Sequence, residues 1–170
     1  MSAKSILVTG GAGYIGSHTV RQLGEKNEQV VTLDNLSKGF REHVLCGDFV
    51  EGDTADRELV SKLLRDHQVE TVIHFAAHTI VPESVADPLK YYRNNTCATR
   101  NLLECCVEAE LTHFVFSSTA AVYGIPDDEQ CWEDTPTQPI NPYGMSKLMS
   151  EYMLRDLAAA SDLRLSLIHI

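Results

Sequence analysis

A tyrosine and a lysine lie four residues apart at Tyr143 and Lys147, directly after Asn141 and Pro142. Pro142 suits the first position of a helix because its missing N–H would be unpaired there. Such a helix places Tyr143 and Lys147 on one face. A phenol with an ordinary pKa of about 10 is a poor base at neutral pH, and a neighbouring ammonium lowers that pKa. The pair therefore predicts proton transfer with a substrate hydroxyl.

A hydroxyl-rich segment precedes this pair, because Ser117 and Ser118 are followed by Thr119 after an apolar run at residues 113–117. At the carboxyl end of a strand, Thr119 could hold the substrate hydroxyl whose proton Tyr143 removes. A Tyr-x-x-x-Lys pair also occurs by chance on solvated helices. The pair becomes informative only if a cofactor site lies upstream.

A glycine-rich turn supplies that upstream signal. An apolar run at residues 5–9 leads into Gly10-Gly11-Ala12-Gly13-Tyr14-Ile15-Gly16 and then a helical stretch. The glycines let the backbone turn sharply and approach a pyrophosphate, while the free N–H groups of the helix face the anion. Asp34 ends the next apolar run, where a carboxylate binds ribose hydroxyls and repels a 2′-phosphate. This order predicts NAD as the cofactor rather than NADP.

Composition narrows the class of protein. At 170 residues and 44% hydrophobic content, the chain is expected to form one globular domain. The net charge of −10 disfavours nucleic acid as a partner. The sequence carries neither a signal-peptide pattern nor an apolar run long enough for a membrane span, so we expect a cytoplasmic protein. The five cysteines lack C-x-x-C spacing, and no metal site is expected.

The chain alternates between short β-branched runs and helical stretches, which predicts a parallel α/β sheet. Strands are expected at residues 5–9, 29–33, 44–51, 71–75 and 113–117, with helices at 56–67 and 88–108. Right-handed crossovers then give a doubly wound fold whose site lies at the carboxyl ends of the strands. The polar, proline-rich residues 124–142 are expected to form a surface loop beside that site.

Together, these residues resemble the extended short-chain dehydrogenase/reductase family over nearly the whole chain. The glycine turn and Tyr-x-x-x-Lys mark the broad family, whereas DNLS and PES…YYRNN are similar to segments of sugar-nucleotide epimerases. The matching segments are GGAGYIGS (10–17), LDNLSKG (33–39), EGD (51–53), VIHFAA (72–77), PESVADPLKYYRNN (82–95), SSTAAVYG (117–124) and NPYGMSKLMSE (141–151).

The resemblance implies a Rossmann-type NAD-binding domain over residues 1–170, with Thr119, Tyr143 and Lys147 as catalytic residues. It departs from some family members at Thr79, where they carry a lysine that contacts the cofactor, and at Thr119, where they carry serine. His78 and Glu83 are as compatible with packing as with ligand contact. The implied cofactor-binding residues are Gly10, Gly13, Tyr14, Ile15, Gly16, Asp34, Asn35, Asp53, Thr54, Phe75, Ala76, Ala77, Asn94, Tyr143 and Lys147.

The activity that the resemblance implies is 4-epimerisation of a UDP-sugar. The sugar C4 hydroxyl is oxidised with retained NAD, and the resulting ketone is reduced on its other face. A 4,6-dehydratase or a decarboxylase would use a similar cofactor site, although a dehydratase is expected to carry an acidic pair where Ala120 and Ala121 stand. An epimerase for UDP-N-acetylglucosamine or UDP-pentoses and an NAD-binding protein without turnover are also compatible with these residues.

The chain is expected to stop short of the substrate domain that family members carry. A complete homodimeric parent would then be active, and this chain would be an inactive part of it. Residues 165–170 read LSLIHI, where the family continues with an RYFN-like segment. The codons CTG-TCT-CTT-ATA-CAC-ATC of a sequencing adapter encode the same residues, which gives the hypothesis that they are foreign. A native sixth strand is the competing interpretation.

Overall fold

Six parallel strands form one sheet in a computed structural model that describes residues 4–126 and 130–170. The strand order is β3-β2-β1-β4-β5-β6. This order confirms the expected doubly wound Rossmann-type sheet. The strands are β1 (Ser5–Thr9), β2 (Val30–Asp34), β3 (Asp48–Glu51), β4 (Val69–His74), β5 (His113–Ser117) and β6 (Arg164–Ile168).

Helices cover both faces of the sheet. Val8 of β1 packs in one cluster with Val20, whereas the adjacent Leu7 packs in another with Leu102 and Leu154. Because successive strand residues point to opposite faces, α1 lies on one face and α5 and α6 on the other. The helices are α1 (Tyr14–Glu25), α2 (Arg57–Asp66), α3 (Val81–Ala86), α4 (Pro88–Tyr91), α5 (Ala98–Glu108) and α6 (Pro142–Ala160), with a π-helical segment at Tyr92–Cys97 and 3₁₀ turns at Arg41–His43 and Ala120–Val122.

The direction of strand addition reverses between β1 and β4, which are neighbours in the centre of the sheet. The loops that follow these two strands diverge at this point and leave a crevice at the carboxyl edge. Thr9 and His74, the last residues of the two strands, are paired in register. The crevice therefore opens immediately beyond them.

Two expected elements differ from the structure. The strand expected at 44–51 begins only at Asp48, because Gly47 has φ +75° and a left-handed residue interrupts an extended strand. The helix expected at 88–108 is divided by the π-helical segment into α4 and α5, and the short helix α3 was not predicted. The other strand ends agree with prediction to within two residues.

The loop expected at 124–142 has no helix or strand from 124 to 126 or from 130 to 141, and residues 127–129 lie outside the described residues. Across the described part of the chain, no helix is long and apolar enough to cross a membrane. The same residues contain no group of three His, Cys, Asp or Glu side chains that could hold a metal ion. All five cysteines are free.

Candidate active site

Two adjoining cavities occupy the crevice at the carboxyl edge of the sheet. The first, which we call the aspartate cavity, has a volume of about 110 Å³ and is lined by Asp34 and Asp53. The second, the tyrosine cavity, has a volume of about 380 Å³ and is lined by Tyr143 and Lys147. The two form one cleft because their walls share Gly10, Gly13, Lys38, Phe75 and Ala77.

The glycine turn lines both cavities, because Gly10 and Gly13 belong to the lining of each. Gly10 has φ +70°, and a Cβ atom there would lie 2.6 Å from the backbone nitrogen of Ala76. A Cβ at Gly16 would collide with the carbonyl oxygen of Gly10. Helix α1 starts at Gly13 with no side-chain cap and no acidic residue in its first turn. Its N–H groups are therefore available to an anion, and the bare backbone leaves room for a diphosphate.

Asp34 is held in place by the same turn. One carboxylate oxygen, Oδ2, accepts a hydrogen bond from Ala12 N at 3.0 Å, and Oδ1 accepts from Leu36 N at 2.9 Å. The residue is buried but still lines the aspartate cavity. Since a carboxylate has about four acceptor sites, Asp34 can accept further bonds from ligand hydroxyls.

Asp53 forms the opposite wall of the aspartate cavity. Its Oδ2 accepts from Asn35 Nδ2 at 2.8 Å, and its Oδ1 accepts from Ala55 N at 2.8 Å. The adjacent Thr54 carbonyl accepts from Asn101 Nδ2 at 2.6 Å. The loop after β3 is thus fixed by side chains from α5 and from the residue that follows β2.

Asn95, which sequence reasoning did not single out, connects the loop after β4 to α6. Its Oδ1 accepts from His78 N at 2.8 Å, and its Nδ2 donates to His78 O at 2.9 Å and to Ser146 Oγ at 3.0 Å. The carbonyl of Asn95 accepts from the hydroxyls of Thr99 and Ser150. Asparagine is disfavoured inside helices, so its place in a predicted helix was the available signal.

Helix α6 begins as the sequence predicted. Asn141 caps it by accepting from Gly144 N at 2.8 Å, and Pro142 lies in its first turn. Tyr143 is half-buried, with its ring edge-on to Tyr91 at 6.3 Å between centroids. The Lys147 ammonium lies 4.3 Å from the centroid of the Phe116 ring. Both Tyr143 and Lys147 line the tyrosine cavity.

Burial lowers the pKa of Lys147 to about 7, although the Glu151 carboxylate partly opposes this effect. Lys147 is 3% exposed, so its ammonium has lost nearly all hydration by bulk water. Glu151 is itself buried and accepts a hydrogen bond from the Ser118 hydroxyl. The cleft therefore contains a cation whose charge changes near neutral pH.

Thr119 caps the 3₁₀ turn at Ala120–Val122. It is buried, its hydroxyl accepts from Ala121 N at 3.2 Å, and it is absent from the described residues that line either cavity. Ser117 and Ser118 line the tyrosine cavity instead. Ser117 and Ser118 thus line the same cavity as Tyr143, whereas the Thr119 side chain caps a 3₁₀ turn.

Residues 6–169 match the model of the NAD dependent epimerase/dehydratase family. The chain belongs to this family. It is 54% identical over 160 residues to the UDP-glucose 4-epimerase of Azospirillum brasilense, a match that covers 94% of this chain and 46% of the relative. It is 46% identical over 166 residues to the Bacillus subtilis UDP-glucose 4-epimerase, with 93% and 49% covered. These matches confirm the resemblance to sugar-nucleotide epimerases.

Solved structures of family members share the fold. The Brucella ovis UDP-glucose 4-epimerase in complex with NAD has a TM-score of 0.96 at 44% identity, and the match covers 98% of this chain and 51% of that one. The UDP-N-acetylglucosamine 4-epimerase of Methanobrevibacter ruminantium has a TM-score of 0.90 at 32% identity, with 99% and 55% covered. The chain spans about half the length of the curated relatives it matches.

All the residues of this chain that we expected to bind a cofactor line the cleft. Those in the aspartate cavity are Asp34, Asn35, Asp53, Thr54, Ala76 and Asn94; those in the tyrosine cavity are Tyr14, Ile15, Gly16, Tyr143 and Lys147; and those in both are Gly10, Gly13, Phe75 and Ala77.

His78 and Glu83, to which the sequence assigned no role, have different surroundings in the structure. His78 lines the aspartate cavity, and burial is the main cause that lowers its pKa. Glu83 lies outside the linings of both cavities, within the described residues, and binds Lys90 at 2.6 Å and the Tyr91 hydroxyl at 2.8 Å. Glu83 therefore holds the α3–α4 region in place, and only His78 is available to a ligand.

Proposed function

We propose that residues 4–170 form the NAD-binding domain of a UDP-glucose 4-epimerase, which interconverts UDP-glucose and UDP-galactose as a whole protein. One observation carries this proposal: a glycine turn lines a single cleft that has carboxylates at one end and Tyr143 with the buried Lys147 at the other. The names of the curated relatives support the choice of substrate.

The residues present fit NAD. The glycine turn provides close approach and free N–H groups for the diphosphate, and Asp34 provides acceptors for the adenosine ribose hydroxyls. The other expected cofactor-binding residues that line the aspartate cavity would surround the adenosine side: Asn35, Asp53, Thr54, Phe75, Ala76, Ala77 and Asn94. Bound by these residues, NAD would supply the acceptor and donor of the hydride that C4 of the sugar loses and regains.

In this proposal Tyr143 accepts the proton of the C4 hydroxyl and later returns it. The Lys147 ammonium stabilises the Tyr143 phenolate, because an adjacent cation favours the charged form of a phenol. Since Thr119 Oγ1 accepts from Ala121 N, its own proton is available for donation to a substrate oxygen. Neighbouring Ser118 is occupied by Glu151 and provides no such proton.

A related specificity is the second candidate. The solved UDP-Glc/GlcNAc 4-epimerase of Campylobacter jejuni matches this chain with a TM-score of 0.94 at 43% identity, and the match covers 98% of this chain and 53% of that one. Acceptance of N-acetylated UDP-sugars would use the same cleft chemistry. The two candidates are distinguished by the turnover of UDP-glucose and of UDP-N-acetylglucosamine by a family-length protein, that is, a protein as long as the curated relatives that contains this domain.

We also propose that the whole protein is a homodimer that uses the groove between α5 and α6. Val107 is 44% exposed in this groove, whose lining is half apolar and half charged: Leu103, Val107, Met153 and Leu157, with Arg100, Glu104, Glu108 and Asp156. A second copy that packs on the groove would cover its apolar side chains and leave the charged ones at the rim. Val107→Glu should shift a family-length protein towards the monomer in sedimentation velocity. An unchanged dimer would place the interface elsewhere.

Cofactor binding by this chain is the direct test of its role. Calorimetric titration of the purified chain with NAD and NADP should show binding of NAD and a weaker response to NADP, because Asp34 repels a 2′-phosphate. Addition of UDP-galactose to the NAD-loaded chain should yield no UDP-glucose, since the chain spans about half the length of its relatives and turnover in our proposal needs contacts that orient the sugar from the other half. Failure to bind NAD would refute the proposed domain assignment.

A further inference from the structure

Lys38 occupies the boundary between the two cavities and lines both of them. Lys147 is the other lysine in the described lining, but it is buried at the far end of the tyrosine cavity. Lys38 is exposed and forms no ion pair with any described residue. It is therefore the solvent-exposed ammonium of the described cleft.

The backbone around Lys38 is tied to the centre of the glycine turn. Phe40 N donates to Ala12 O at 3.1 Å, while Ala12 N donates to Asp34 Oδ2 at 3.0 Å. Gly39 lies so close to Ala12 that a Cβ atom on it would be 2.7 Å from the Ala12 carbonyl carbon. The chain on both sides of Lys38 is thus attached to the turn. This attachment distinguishes Lys38 from a lysine on a free surface loop.

The charge balance of the cleft favours a cation at this position. Asp34 and Asp53 line the aspartate cavity, and the whole chain has a net charge of −10. A diphosphate that enters beside these carboxylates is repelled unless positive charge lies close to it. The first turn of α1 contributes only partial charges through its N–H groups. A full positive charge at the same turn would offset the repulsion.

The field of Lys38 extends across the cleft to the loop after β4. The pKa of His78 is lowered by burial first, then by Lys90, and also by Lys38. The Lys38 ammonium therefore lies within electrostatic range of His78, and Lys38 lines both cavities.

We propose that Lys38 binds the diphosphate of the dinucleotide, opposite the N–H groups of α1. The inference rests on the proposed NAD site and names one contact within it. A charge-assisted hydrogen bond of an ammonium to phosphate contributes enough to change affinity by about 10- to 100-fold. Loss of the Lys38 charge should weaken only ligands that carry the diphosphate.

The test uses calorimetric titration of the 170-residue chain and its Lys38→Met, Lys38→Arg and Lys26→Met variants with NAD, ADP and adenosine. Lys26 is the matched control, because it is an exposed lysine at the opposite end of α1. The two ends of this 12-residue helix are roughly 18 Å apart. Each titration is repeated at low and at high salt.

Lys38→Met should weaken NAD and ADP binding by about 10-fold or more, leave adenosine binding unchanged and reduce the salt dependence of ADP binding. Lys38→Arg should restore most of the affinity, and Lys26→Met should match the wild type. If the wild-type chain binds NAD and Lys38→Met binds it equally well, the Lys38 contact is refuted and the proposed function stands. Equal weakening of adenosine also refutes it. A wild-type chain that binds none of the three ligands overturns both proposals.

Discussion

The hydrogen bonds that fix the two ends of the cleft span different numbers of residues along the chain. In the aspartate cavity, Asp34 is bonded to Ala12 across 22 residues, and Asn35 is bonded to Asp53 across 18. At α6, which carries Tyr143 and Lys147, Asn95 is bonded to Ser146 across 51 residues and to Ser150 across 55. The two carboxylates of the cofactor end are therefore held by bonds of shorter range than those of α6, although Asn101 also bonds Thr54 across 47 residues.

This difference has a physical consequence. Closing a long loop costs more conformational entropy than closing a short one, and the cost must be offset by buried bonds such as those of Asn95. The reactive end also contains a buried ammonium, whose loss of hydration opposes folding. We expect substitutions at the two ends to separate cofactor binding from turnover and from stability.

Tyr143→Phe should have the largest effect. In a family-length protein that carries this cleft, turnover should fall by about 10²- to 10⁴-fold, because the ring remains and only the proton acceptor is removed. NAD affinity of the 170-residue chain should be unchanged in the same variant. Turnover within a few-fold of the parent would show that another group takes the proton and would remove the chemical distinction between the two ends.

Lys147→Met should make the chain more stable at neutral pH. Burial lowers the pKa of Lys147 to about 7, well below the value of a lysine in an unfolded chain. The unfolded state therefore binds more protons between about pH 7 and pH 10, and the wild-type free energy of unfolding should rise with pH over this window. We expect the variant to gain about 2 to 3 kcal/mol near pH 7 and less near pH 10.

Urea unfolding of both proteins from pH 6 to pH 10 measures this difference. Lys62→Met, at an exposed ion pair with Asp66, is the control and should change the stability little at any pH. A stability difference between wild type and Lys147→Met that is independent of pH would show that the ammonium is hydrated in the folded chain.

Asn95→Ala should destabilise the chain by about 1 to 3 kcal/mol, because it removes the bonds to the half-buried backbone N–H and C=O of His78 and one bond to the Ser146 hydroxyl. Asn101→Ala removes a single bond to Thr54 and should cost less, about 1 kcal/mol. Thermal and urea unfolding measure both variants. Equal losses would contradict the expectation that Asn95, with several bonds, contributes more to stability than Asn101 with one.

Asp34→Asn should have the smallest effect, a decrease in NAD affinity of about tenfold. The amide keeps the shape but loses one acceptor oxygen and the negative charge, so the preference for NAD over NADP should also decrease. Titration of both cofactors against the variant measures the change. An unaltered preference would show that another residue selects the cofactor.

Much of the cofactor end was predictable because its signals are local. Gly16 must be glycine because a Cβ atom there would collide with the Gly10 carbonyl oxygen of the same turn, whereas the steric limit at Gly10 comes from Ala76 after β4. Asp34 follows from its place at the end of β2, and the start of α6 follows from Asn141 and Pro142. Periodicity was also sufficient for the order of strands and helices, apart from α3 and the π-helical segment.

The reactive end required the tertiary structure. The sequence determined that Tyr143 and Lys147 share a helix face, because the helical repeat alone sets that relation. It did not determine that Lys147 loses its hydration, that Asn95 joins the β4 loop to α6, or that Thr119 turns towards Ala121 N. Burial and hydrogen-bond partners depend on contacts between segments that are distant in the sequence, and a local sequence pattern does not specify those contacts.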